Sequence, residues 1–152
     1  MTAKKALDVL ERRGSNYPSP FDEPCRERSD RSLGDAFGLS DFGVHLLVLA
    51  PGVWSSQRHW HSQEDELIYV LEGAPSLITD DGENILAPGD VAGFPAGSEN
   101  GHHFVNNTDA PAKLLVVGGR KARDDAFYSD VDMQILQRGQ GGSYTTRDGE
   151  PY

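Results

Sequence analysis

From Phe42 onward, apolar positions recur in short runs cut by glycine and proline. Val44 to Ala50 is continuously apolar and stops at Pro51-Gly52, and Gln57 to His61 is short and alternating. Leu67 to Leu71 is apolar at every position, the pattern of a strand buried on both faces. Ser76 to Thr79 and Glu83 to Leu86 flank Asp80-Asp81-Gly82, which predicts a hairpin. Val91 to Phe94, His102 to Asn106 and Lys113 to Val117 complete the series. Turn signals at intervals of about 8–12 residues predict an all-β sandwich or barrel. Neither βαβ alternation nor an internal repeat is visible.

The two ends read differently. Ala3, Leu7 and Leu10 sit at helical spacing before Gly14 and predict a short helix over 3–13. Residues 14–36 carry Pro18, Pro20, Pro24 and many charges, and read as an extended arm. Beyond Gly118-Gly119-Arg120 the chain is polar; Val131, Met133 and Ile135 alternate as one more strand, and 139–152 reads as a loose, Gly-rich end. The organisation expected is a 1–41 arm with a possible short helix, a 42–120 barrel core and a 121–152 tail packing on or near it.

Composition narrows the partners. The 152 residues, 37% hydrophobic and 25% charged, suit one soluble domain. A net charge of -10 repels a phosphate polyanion, so no nucleic-acid partner is expected. No run nears the ~20 apolar residues that span a bilayer, so no membrane partner is expected. Asp8 and Glu11 interrupt any secretory apolar stretch, and the single Cys25 rules out an internal disulfide. Both features suit a cytoplasmic protein.

The chemistry lies in two blocks. On a strand, His59 and His61 point the same way, their roots ~7 Å apart, and two imidazole nitrogens can converge on one ion at ~2.0–2.1 Å. Glu66 opens the next strand, and a hairpin return brings its carboxylate back beside them. His102 must arrive by long-range packing, with His103 as the alternative ligand. Glu64 and Asp65 read as a solvated acidic turn, His45 as a core or pocket-wall imidazole and Arg58 as an outward cation. By strand phase, Gln57, Phe104, Ile68 and Val70 face the interior. No inward cluster of Arg or Lys is evident, which argues against a phosphosugar and for a small carboxylate, hydroxyketone or enediol. Nitrogen and oxygen donors without thiolate suit one divalent transition metal ion: Fe, Mn, Ni, Co or Zn.

These blocks resemble the two cupin signatures. Gly52, His59, His61, Glu66 and Gly73 follow G-x5-H-x-H-x3,4-E-x6-G, with six residues after the first glycine rather than five. Gly89, Pro95, Gly97, His102 and Asn106 follow G-x5-P-x-G-x2-H-x3-N, with four residues before the histidine rather than two. The sequence is also similar to a group of small bacterial cupins, some labelled sugar-phosphate isomerases. The resemblance implies a jelly-roll β-barrel and a metal held by His59, His61, Glu66 and His102. It leaves the activity open among isomerases, lyases and dioxygenases, and equally a non-catalytic binding or sensing module. The expected function is a metal-dependent enzyme acting on a small oxygen-rich metabolite, with Glu66 as acid or base if it is not a ligand. Jelly-roll barrels hide open edges by pairing, so a homodimer is expected, with the 14–36 arm, Trp60 and Tyr69 as contacts.

Overall fold

The computed structural model describes residues 2–152. A six-stranded antiparallel sheet forms one wall, in the order β1 (Arg12–Arg13), β2 (Ser29–Ser32), β3 (Phe42–Leu49), β10 (Ala112–Gly119), β5 (Glu66–Glu72) and β8 (Val91–Phe94). The facing wall joins two smaller sheets. One is β13 (Tyr144–Thr145), β12 (Gln134–Ile135), β11 (Ala126–Tyr128) and β4 (His59–His61); the other is β7 (Gly82–Ile85), β6 (Ser76–Thr79) and β9 (His103–Val105). A bridge between His59 and His102 connects them. The result is the expected all-β barrel of jelly-roll type, and no helix among the described residues is long and apolar enough to cross a membrane.

Alternation decides what the walls bury. Leu47, Leu49, Ile68, Val70, Phe104 and Leu114 point inward and pack together. On β5 the opposite phase, Leu67, Tyr69 and Leu71, is exposed, so this strand is buried on one face only. Its apolar run reads as two-sided because the outward phase happens to be apolar too.

The ends belong to the barrel. Residues 3–13 form a 3-10 turn at Ala6–Asp8 followed by β1 instead of a helix; Leu7 and Leu10 stay exposed and give a helix nothing to pack against. The arm adds β2 to the edge of β3, pairing Asp30 with Leu47 and Ser32 with His45. The tail supplies three strands, and β11 pairs along the whole of β4. Residues 139–152 are therefore not loose: β13 pairs with β12, and Tyr144 packs on a second core of Ala126, Tyr128, Met133 and Ile135.

Arg58 locks tail to barrel. Its Nε and one terminal nitrogen grip the Asp130 carboxylate at 2.8 and 2.7 Å, and the other terminal nitrogen reaches Asp80. This bidentate pair fixes orientation as well as charge. Asn106 is equally structural: fully buried, it donates to Leu49 O and Ala110 O at 2.8 Å each.

Candidate metal centre

β4 brings His59 and His61 to the inner surface, their Nε2 atoms 3.1 Å apart. Both rings are oriented from behind. His59 Nδ1 lies 2.8 Å from Gln57 O, which only accepts, so this nitrogen carries the proton and Nε2 keeps its lone pair. His61 Nδ1 donates to Asp124 Oδ2 at 2.7 Å, with the same consequence. Two nitrogen lone pairs thus face each other across 3.1 Å. That contact is repulsive unless a proton or a metal ion is shared between them.

Glu66 starts β5 and its carboxylate lies near both imidazoles; the three groups present ligand atoms within 4.8 Å of one another. His102 precedes β9 and arrives through the long-range bridge, its N–H donating to His59 O at 2.9 Å. Its Nε2 meets Glu66 Oε2 at 2.6 Å, and its ring lies flat on Phe94 with centroids 3.5 Å apart. Phe94 is the register neighbour of Glu66, so one pair of strands presents both the carboxylate and the surface on which His102 rests. His102 Nδ1 is buried without a hydrogen-bond partner. The bare Gly101 lets the backbone pass: a Cβ there would come within 2.1 Å of Ser129 Oγ.

The electrostatics suit a cation. Burial, which disfavours the charged imidazolium, pushes His59 down to about 3. Burial alone would raise the Glu66 carboxyl, but the His102 hydrogen bond and the surrounding imidazoles overcome it and hold it at about 2. At neutral pH the centre is a neutral His59 beside an ionised Glu66. Three imidazoles and one carboxylate, without thiolate, fit a divalent ion of the first transition row.

The remaining expected residues divide. Phe104, Ile68 and His45 line the cavity of about 400 Å³ that opens on this centre. Gln57 and His103 lie outside it. Gln57 is buried and donates to Phe21 O at 2.8 Å, fastening the arm. His103 Nδ1 lies 3.0 Å from Ser56 O and its ring packs edge-on against Trp54, away from the cluster. Trp60 is half-buried, stacked on Phe127.

Two expectations fail on residues contributed by the ends. Glu64 is buried, not solvated: Oε1 accepts Lys121 N–H at 2.8 Å and Oε2 pairs with Arg138. Arginines do reach the cavity, as Arg28, Arg120 and Arg138 from the arm, the end of β10 and the tail. Strand phase within the barrel core carries no information about them.

Asp124 also escapes a sequence reading. It is buried, accepts from His61, from Gln63 N–H at 3.0 Å and from Arg138 Nε at 3.1 Å, and these donors outweigh burial to hold it at about 2. Glu64, Asp124 and His61 form a second close cluster, but Arg138 already neutralises its carboxylates. It serves as scaffolding behind His61.

One imidazole in the cavity lies outside the cluster. His45 Nδ1 is 2.9 Å from Asp30 Oδ1. A Cβ on Gly43 would stand 3.2 Å from His45 Nε2, so glycine keeps space open beside that nitrogen.

A jelly-roll barrel with an inward His-x-His, a glutamate and a distant histidine defines the cupin class, and the chain belongs to the cupin superfamily: the model of the cupin domain matches residues 45–118. Its likeness to one solved member extends over almost its whole length. A cupin-superfamily sugar phosphate isomerase from Silicibacter pomeroyi is 49% identical, with 97% of this chain and 94% of that one covered and a TM-score of 0.93. A structure from Acidithiobacillus ferrooxidans, described as a candidate sugar phosphate isomerase, is 30% identical over 83% of this chain and 80% of that one, with a TM-score of 0.75. A polyketide cyclase from Streptomyces resistomycificus shares the fold at 22% identity, covering 80% of each chain, with a TM-score of 0.63. No curated protein matches the chain.

Proposed function

We propose that the protein is a metal-dependent enzyme that isomerises a small polyoxygenated metabolite, the ion being held by His59, His61, Glu66 and His102. The observation that carries this reading is the pair of Nε2 lone pairs facing each other at 3.1 Å, each fixed by a donor bond on the far side of its ring. A divalent ion held by these residues would supply Lewis-acid polarisation of a substrate carbonyl. The names of the Silicibacter pomeroyi and Acidithiobacillus ferrooxidans relatives favour isomerase chemistry over lyase or dioxygenase chemistry.

Isomerisation through an enediol also needs a group that carries a proton between neighbouring carbons. Glu66 is committed to the ion in this reading, and Glu64 to Arg138. His45 is free for the task. Asp30 accepts the proton on Nδ1 and leaves the Nε2 lone pair in the space beside Gly43.

Elemental analysis of protein purified without a tag, followed by a screen of aldoses and ketoses in deuterated water, tests the proposal. The expected result is one divalent ion per chain and deuterium uptake into the sugar that His61→Ala abolishes. Full metal occupancy with ligand-dependent thermal stabilisation, but neither exchange nor product, would favour the non-catalytic binding reading instead.

A further inference from the structure

The arm and tail place a cation in the cavity that no carboxylate neutralises. Of the three cavity arginines, Arg120 pairs with Asp35, and Arg138 with Glu64 and Asp124. Arg28 instead donates from Nε to Gly14 O at 3.0 Å and from one terminal nitrogen to Ser55 O. Carbonyls satisfy its donors but leave its charge intact, and its other terminal nitrogen has no protein acceptor among the described residues. In a chain of net charge -10, an unneutralised inward cation points to an anionic guest.

Three phenols surround the same end of the cavity. Tyr17 comes from the arm, Tyr128 from β11 and Tyr144 from β13. The ring of Tyr17 lies 5.5 Å from that of Tyr128 and 5.6 Å from that of Tyr144. Their hydroxyls neighbour one another, and none hydrogen-bonds to backbone or to a charged side chain among the described residues. A phenol is a protonated donor at neutral pH. Tyr128 also stacks on His59, with ring centroids 5.6 Å apart, so this end of the cavity adjoins the metal-facing wall.

We propose that Arg28, Tyr17, Tyr128 and Tyr144 form a seat for the phosphoryl group of a phosphomonoester substrate, whose hydroxyl or carbonyl end then faces His59 and His61. The seat follows from the arginine and the phenols alone; only what lies at the far end of the ligand rests on the metal reading above. A guanidinium with several hydroxyl donors matches the three terminal oxygens of a phosphoryl group better than the two of a carboxylate. Arm and tail thereby become parts of the binding site, since Tyr17 and Arg28 belong to one and Tyr144 to the other.

Calorimetric titration of the full-length, metal-loaded protein with ribose 5-phosphate, ribonate, ribose and inorganic phosphate tests the seat. Ribose 5-phosphate should bind at least roughly tenfold more tightly than ribose, and Arg28→Ala should remove that advantage. Because Arg28 also fastens the arm, the double variant Tyr17→Phe/Tyr144→Phe, which deletes only hydroxyls, should weaken the ester and leave ribose unchanged. Repeating the inorganic phosphate titration on chelated protein separates the two readings: Arg28-dependent phosphate binding by a protein that takes up no metal would retain the seat and refute the metal centre. Equal affinity for ester and sugar, tighter binding of ribonate, no binding of either phosphate, or wild-type ester affinity in both variants would overturn the seat.

Discussion

Asp124 and His61 are joined by a 2.7 Å hydrogen bond although 63 residues separate them in the chain. The carboxylate is buried and belongs to the tail, whereas the imidazole lies on the barrel wall. The bond makes Nδ1 the protonated nitrogen of His61 and aims Nε2 at the cluster, so a tail residue positions the nitrogen that would meet an ion there. Such outer partners typically contribute 10–100-fold to metal affinity.

Asp124→Asn tests that role. The amide keeps the shape but offers one acceptor oxygen to three donors, His61, Gln63 N–H and Arg138. Metal affinity, measured by competition with a chromogenic chelator, should fall ~10–100-fold. The unfolding free energy should drop as well, by about 1–3 kcal/mol, because a buried donor loses its partner. Unchanged affinity with lowered stability would reduce Asp124 to a purely structural residue.

Acid should destabilise the metal-free protein in a defined window. His59 is held down at about 3, below its ordinary 6.5, so the unfolded chain takes up a proton there that the folded one refuses. That contribution is complete above pH 6.5 and shrinks as pH falls towards 3. Glu66 and Asp124, both held at about 2 from 4.5 and 3.8, add contributions that disappear only below their unfolded values. Between pH 7.5 and 5.5, the His59 effect alone is about 1.4 kcal/mol, or ~3–6 °C in the midpoint. Thermal scans of chelated protein at these two pH values measure it. His59→Gln should flatten the dependence.

How far the site is legible in the sequence follows from where each residue sits. His59 and His61 share a strand, and alternation places them together without further information. Glu66 needs only the next strand. His102 is reached through the motif spacing, since nothing local says that the chain closes to bring it within 2.6 Å of Glu66. Asp124, Arg28, Tyr17 and Tyr144 lie in segments whose composition resembles linker, and their positions depend on long-range pairing such as β11 with β4. The barrel strands were accessible for the opposite reason: alternation and turns are local. The N-terminal helix failed because spacing without a surface to pack on does not stabilise one.

The choice between His102 and His103 is open to a paired substitution. His102 lies in the cluster beside Glu66, whereas His103 points to Ser56 O and Trp54. His102→Ala should therefore lower bound metal well below one ion per chain. His103→Gln, which keeps a polar group near Ser56, should retain full occupancy and cost only stability, about 1 kcal/mol for one hydrogen bond. Elemental analysis of the two purified variants gives the answer. The reverse pattern would move the fourth ligand to the neighbouring position and contradict the ring orientation described above.

A final expectation concerns self-association. The exposed Leu67, Tyr69 and Leu71 of β5 lie beside the exposed Val91, which pairs with Tyr69 on β8. The same outward phase continues to Leu115 and Val117 on β10 through their pairing with Tyr69 and Leu67. The outer face of the six-stranded sheet is thus an apolar patch on a highly charged chain, the kind of surface that a second copy covers in a two-fold dimer. We propose that this face carries the homodimer contact. Light scattering at micromolar concentration should give twice the 16.6 kDa chain mass. Leu67→Glu/Leu71→Glu should then give a folded monomer, because both side chains lie on the outer face, 44% exposed, and take no part in the barrel core. A monomeric wild-type mass would leave the patch unpaired and refute the contact.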